Sequence, residues 1–115
     1  MYNYQNNKII NLNSKIIKAS GFVEKLTGLI FRRLKDNEIF LINNCNGVHT
    51  LWMTRPIDVV FLNRQCEVVA LFMNFKIFRF TPFIKNAVMA IEAETGFIQK
   101  NKISHGDTLI FQFSS

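Results

Sequence analysis

The sequence predicts a mainly β fold: a small antiparallel sandwich or barrel of about seven short strands with one or two short helices. Three observations lead there. Short β-branched and aromatic runs recur along the chain. Asn, Gly and Pro clusters separate them. Apolar residues at helical spacing are few, so the long crossover helices of a parallel βαβ winding are missing. With 115 residues and no repeat, low-complexity tract or linker, the chain reads as one domain, 1–115.

Taken in order, residues 8–12 and 15–18 read as two strands forming a first hairpin, with turn chemistry from Asn13 and Ser14. Ser20 is an N-cap for a helix whose apolar positions are Phe22, Val23, Leu26, Leu29 and Ile30. Residues 32–37 form a polar connection and 38–42 a strand, and 43–47 is a dense turn signal. A strand over 48–53 is interrupted by Arg55 and Pro56, because proline cannot donate to a ladder. Residues 57–62 read as a buried strand that pairs, across a turn at 63–65, with an antiparallel strand over 67–72. Residues 75–83 form a short strand or an ordered loop. Residues 87–93 are a further strand, Thr95 is an N-cap for a helical turn through Lys100, and Gly106 turns the chain into a last strand over 108–113.

Composition bounds the function. Hydrophobic residues make up 49% of the chain and charged ones 19%, which excludes a disordered segment. No apolar run approaches the roughly 20 residues of a membrane-spanning helix, and the Asn-rich start does not resemble a signal peptide. A cytoplasmic protein is expected. Cys45 and Cys66 form no C-x-x-C motif and are expected to be free thiols. The net charge of +6 could draw nucleic acid or an acidic surface, but no nucleic-acid motif accompanies it, and a bias toward Asn, Ile and Lys accounts for it better, so nucleic acid is not the expected partner.

Several segments together resemble a known family. Gly28-Leu29-Ile30-Phe31-Arg32 is similar to its Gly-Leu-Met-x-Arg segment. Trp52-Met53 followed by Pro56-Ile57-Asp58 resembles its central Met and Pro-Ile/Leu-Asp strand. Ile91-Glu92, Gly96 and Gly106-Asp107 resemble its C-terminal half, and Cys45 with His49-Thr50 resembles one branch of it. The family is the domain of unknown function 192. The resemblance runs from about Gly21 to Phe113 and implies a compact β-rich fold and no established reaction. Ile30 departs from the usual Met, and Ala93-Glu94-Thr95 from a commoner Leu-Pro-Ala.

Few residues could carry chemistry. Cys45, His49 and Met53 offer thiolate, imidazole and thioether, a ligand set that suits copper. Their spacing argues against one centre: ligands four apart on a strand sit roughly 13 Å from each other. A candidate pocket joins His49, Met53, Arg55, Asp58 and Glu92, where a His between carboxylates could act as acid or base. On the structural alternative, Asp58 ties down the turn at Pro56 and Glu92 sits on an exposed or edge face. Phe75, Phe78, Phe80 and Phe83 alternate with Lys76, Arg79 and Lys85. Such a pattern can stack single-stranded bases or dock a partner protein, but a domain this small is expected to turn most of these rings inward. The function expected is a non-catalytic binding or accessory module for a small polar ligand or a protein partner, with no cofactor. The alternatives are an enzyme using a His/carboxylate site and a copper-type metal binder.

Overall fold

The stretch Ile57–Leu62 forms a strand in the interior of the molecule because, Asp58 aside, both of its faces are apolar, and every one of its side chains is buried. In the computed structural model, which describes residues 7–19, 38–43, 47, 56–76 and 80–111, this strand is β4. It follows β1 (Ile9–Leu12), β2 (Lys15–Ala19) and β3 (Glu38–Asn43). It precedes β5 (Val68–Phe75), β6 (Met89–Glu94), the single-turn helix α1 (Phe97–Lys100) and β7 (Thr108–Phe111). The fold is mainly β, as the sequence predicts.

Five strands form one sheet in the order β2-β3-β6-β4-β5, and β1 and β7 form a second. The β3–β6, β6–β4 and β4–β5 ladders are antiparallel, whereas β2–β3 and β1–β7 are parallel. The two sheets are joined where β5 begins. There Val68 N–H donates to Asp107 O at 2.8 Å, Gly106 N–H to Val68 O at 2.9 Å and Leu109 N–H to Cys66 O at 2.9 Å. Among the described residues the sheets do not close into a barrel.

One core lies between the sheets. Leu12 and Leu109 from the small sheet meet Ile39, Leu41, Val60, Leu62 and Ile91 from the large one, with Phe97 and Ile98 of α1 closing the end. The opposite face of the large sheet carries Ile42, Ile57, Val59, Phe61 and Ala90, with Phe72 and Phe75 packed against them. The Phe61–Phe72 and Phe72–Phe75 ring pairs meet edge-on at 6.0 and 5.4 Å.

The expected first hairpin does not form. β1 and β2 each pair with a different strand, and neither Asn13 nor Ser14 has the positive φ that a tight two-residue reversal requires. The chain instead passes from the small sheet to the large one. The β4–β5 hairpin does form. The Asn63 side chain accepts the N–H groups of Gln65 and Glu67 at 3.0 and 2.9 Å, and Cys66 completes the turn at φ 62°. β5 extends three residues past the expected end, to Phe75. The N-cap of α1 is Gly96, not Thr95, whose hydroxyl donates to Pro56 O at 3.1 Å instead. The rings of Phe80 and Phe83 are exposed, against the expectation that this stretch turns inward, while Phe75 is half-buried. The expected helix after Ser20, the strand over 48–53, and Phe78 lie outside the described residues.

Gly106 sits at φ 91°, a conformation that side-chain-bearing residues rarely adopt. A Cβ there would approach the Asn7 amide to 2.8 Å. Gly106→Ala should lower stability by about 1–3 kcal/mol in urea unfolding. Adding Asn7→Ala should recover little of that loss, since a side-chain amide can move aside and the backbone strain remains.

Candidate functional site

Asp58 is the second residue of β4 and is almost wholly buried. Burying a carboxylate costs several kcal/mol unless donors replace its water. Three backbone N–H groups do so here. Asn74 N–H donates to Oδ1 at 2.9 Å, and Gly96 and Ile98 N–H donate to Oδ2 at 3.2 and 2.9 Å. Each donor is freed by a local irregularity. Opposite Asp58 the β4–β5 register shifts, and Asn74 adopts φ 52°. Gly96, at φ 101°, turns the chain from β6 into α1, whose first-turn N–H groups have no partner within the helix. Asp58 therefore joins three elements at one point. Pro56 is tied by Thr95 rather than by Asp58.

Glu92 is fully buried in β6, a strand with neighbours on both sides, so the expected exposed or edge position is not what the chain adopts. It pairs in register with Phe40 and Val59, whereas Asp58 pairs with Ala93. Directly paired residues share a face, so Glu92 lies on the side of Val59 and Ala90. Asp58 lies on the side of Val60 and Leu62. The two carboxylates occupy opposite faces of the sheet and do not converge on one cavity. His49, Met53, Arg55 and Cys45 lie outside the described residues. Among the described residues no three of His, Cys, Asp and Glu are grouped to hold a metal ion.

A second buried aspartate plays a part that the sequence reading did not assign. Asp107 accepts Lys8 N–H on Oδ1 at 3.1 Å, and Lys8 Nζ and Ser104 N–H on Oδ2, both at 2.8 Å. It latches the start of β1 to the turn before β7. Burial pushes its carboxyl up, but the Lys8 side-chain bond, the backbone bonds from Ser104 and Lys8, and the Lys8 charge together hold it below the usual carboxylate value. Cys66 is a free, half-buried thiol that burial pushes up, which keeps it protonated.

Where β1 runs into β2, the chain passes beside the turn that leads from β6 into α1. An open cleft of about 440 Å³ lies between them. Asn11, Asn13, Ser14, Thr95, Lys100 and Asn101 line it, with Glu94 and the backbone of Gly96 completing the wall. Phe97 adds an apolar surface to a lining of amides, hydroxyls, one cation and one carboxylate, so the cleft offers both hydrogen bonds and an apolar contact to a small polar molecule. Local pattern could not reveal it, because Asn13-Ser14 reads as a turn and its neighbour α1 lies some eighty residues on.

The sequence profile of the domain of unknown function 192 family (DUF192, "Uncharacterized ACR") matches residues 4–111. The chain is 35% identical over 95 residues to the UPF0127 protein PF1050 of Pyrococcus furiosus, covering 79% of this chain and 81% of that one. Its fold is similar to that of a protein of unknown function from Novosphingobium aromaticivorans, with TM-score 0.71, 19% identity, and 81% and 71% of the two chains covered. It is also similar to a candidate transcription regulator from Sinorhizobium meliloti, with TM-score 0.67, 13% identity, and 79% and 76% covered. At those identities the two structures speak for the fold alone. Among the described residues no helix is long and apolar enough to cross a membrane.

The Asp107 latch predicts a pH dependence. A carboxylate held low in the folded state adds stability above its unfolded value, near 3.9, and that stability is lost as pH falls through the lowered folded value. Asp107→Asn should be less stable than the parent at neutral pH. The difference should shrink as the pH is taken down from about 4, measured by urea unfolding across the acid range.

Proposed function

The chain belongs to the domain of unknown function 192 family, and we propose that it is a non-catalytic binding module whose polar cleft takes a small polar ligand. One observation carries this reading: the buried aspartate carboxylates are used to hold backbone together, while an open cleft of about 440 Å³, lined in part by Asn11, Ser14 and Lys100, lies beside the turn that Asp58 fixes. An acid–base pair needs two titratable groups at one cavity. Asp58 and Glu92 face opposite sides of the sheet and so cannot both serve one cavity, and Asp58 is already committed to three backbone donors, which supports binding over an enzyme that uses both carboxylates. A lining of mixed donors and acceptors with Lys100 and Glu94 suits a neutral polyhydroxylated or zwitterionic molecule. The reading includes a reducing, cytoplasmic setting, which the free thiol of Cys66 supports.

The test is a titration of the labelled chain with free amino acids and monosaccharides, followed by amide NMR. Shifts should cluster on Asn11, Ser14, Thr95 and Lys100. Lys100→Ala should weaken the strongest binder by about tenfold, the weight of one charged hydrogen bond, with the fold intact. Shifts that are absent, or that are scattered and indifferent to Lys100→Ala, would remove the cleft from the account. A bound metal in the native mass spectrum would instead support the Cys45, His49 and Met53 alternative.

A further inference from the structure

Between Val68 and Ile91 the chain carries Lys76, Arg79 and Lys85 and neither Asp nor Glu. In this stretch the segment between β5 and β6 holds two aromatic rings in solvent: Phe80 is 67% exposed and Phe83 73%. Their exposure does not come from a detached loop. Ile84 packs against the core cluster of that sheet face, and Ala87 N–H donates to Ile84 O at 3.2 Å. Gly47 lies beside Thr81 and Pro82, where a Cβ would sit 3.6 Å from Thr81 Oγ1 and 3.7 Å from Pro82 O. Residues 80–87 are thus anchored through Ile84 while the rings of Phe80 and Phe83 stay exposed, with the exposed Lys76 and Lys85 on either side in sequence.

Large exposed rings at one place on a small domain mark a contact surface, and the charge of the stretch selects the kind of contact. We propose that Phe80 and Phe83 dock the protein reversibly on an anionic lipid surface, the rings entering the acyl boundary and the cations meeting lipid phosphates. Apolar insertion and attraction of cations to anionic headgroups add to one another in membrane binding, and this segment carries both kinds of group. Single-stranded nucleic acid fits less well. Successive bases stack on rings set along a basic groove, whereas these two belong to one irregular segment around Pro82. A lipid surface needs no matching concavity, only protruding apolar groups with cations that can reach the headgroups.

The experiment is co-sedimentation of the full chain with vesicles of phosphatidylcholine alone and of phosphatidylcholine containing one quarter phosphatidylglycerol. The wild-type chain should bind the anionic vesicles selectively and less tightly as salt is raised. The double variant Phe80→Ser/Phe83→Ser should lose at least about tenfold in affinity. Phe83→Ser alone should lose about threefold, which keeps the test open should the double variant misfold by circular dichroism. Equal retention on both vesicle types overturns the proposal. So does undiminished binding by the folded serine variants, which would leave net charge alone as the cause. Vesicles ignored while an oligo-dT probe binds through the same two rings would assign the segment to single-stranded nucleic acid and overturn it as well.

Discussion

A carboxylate at the second position of an interior strand has two fates: it finds donors or it opens the strand. Asp58 finds three, all from backbone, and much of the local architecture follows from supplying them. Flanked by Ile57 and Val59, it cannot turn to solvent without breaking a strand whose other side chains are apolar and buried. β5 must therefore bulge at Asn74, and β6 must end in a left-handed glycine that aims the first turn of α1 at Oδ2. The direction of α1 in turn places Phe97 and Ile98 over the core and sets one wall of the polar cleft. The chain runs from one acidic residue to a bulge, to a helix direction, to the shape of a surface that can hold a ligand.

Asp107 repeats this logic at the other seam. The small sheet buries little besides Leu12 and Leu109, and β1 pairs with a strand far away in sequence. Such a pairing gains from a latch. The Lys8–Asp107 contact supplies one, strengthened by the Ser104 and Lys8 backbone groups. The lysine is partly exposed, so its charge is screened, and the greater effect comes from satisfying a carboxylate that is itself buried. Both aspartates are architectural, and the polar groups at the cleft are amides, hydroxyls, Lys100 and Glu94. That inventory suits recognition better than proton transfer.

How much was legible in the sequence follows from which interactions are local. The bounds of β4 could be read because Pro56 and Asn63 bracket an apolar β-branched run, and its hairpin with β5 because Asn63 carries its own turn chemistry. The family could be read from motifs spread along the chain. The parallel pairings of β1 with β7 and β2 with β3 left no local trace, since a parallel ladder is set by distant partners, and two strands close in sequence suggested a hairpin instead. Asp58 was noticed as a buried acid, but its donors are backbone N–H groups, which have no signature in a sequence. Glu92 was expected on an exposed or edge face, or in a shared polar pocket, because a carboxylate usually avoids the middle of a sheet, and its full burial in an interior strand reverses that preference. Phe80 and Phe83 were expected inside for their size alone, a rule that gives way where a surface is built for contact.

The central claim, that the Asp58 carboxylate organises this end of the fold, is tested most directly by amide hydrogen exchange in Asp58→Asn. An amide side chain keeps the shape but turns an NH₂ toward backbone donors where an oxygen is needed. The account predicts that Asn74, Gly96 and Ile98 lose protection together and that global stability falls by about 2–4 kcal/mol. Unchanged protection at those three amides and unchanged stability, with ligand binding at the cleft abolished, would contradict it and make Asp58 a functional group rather than a structural one.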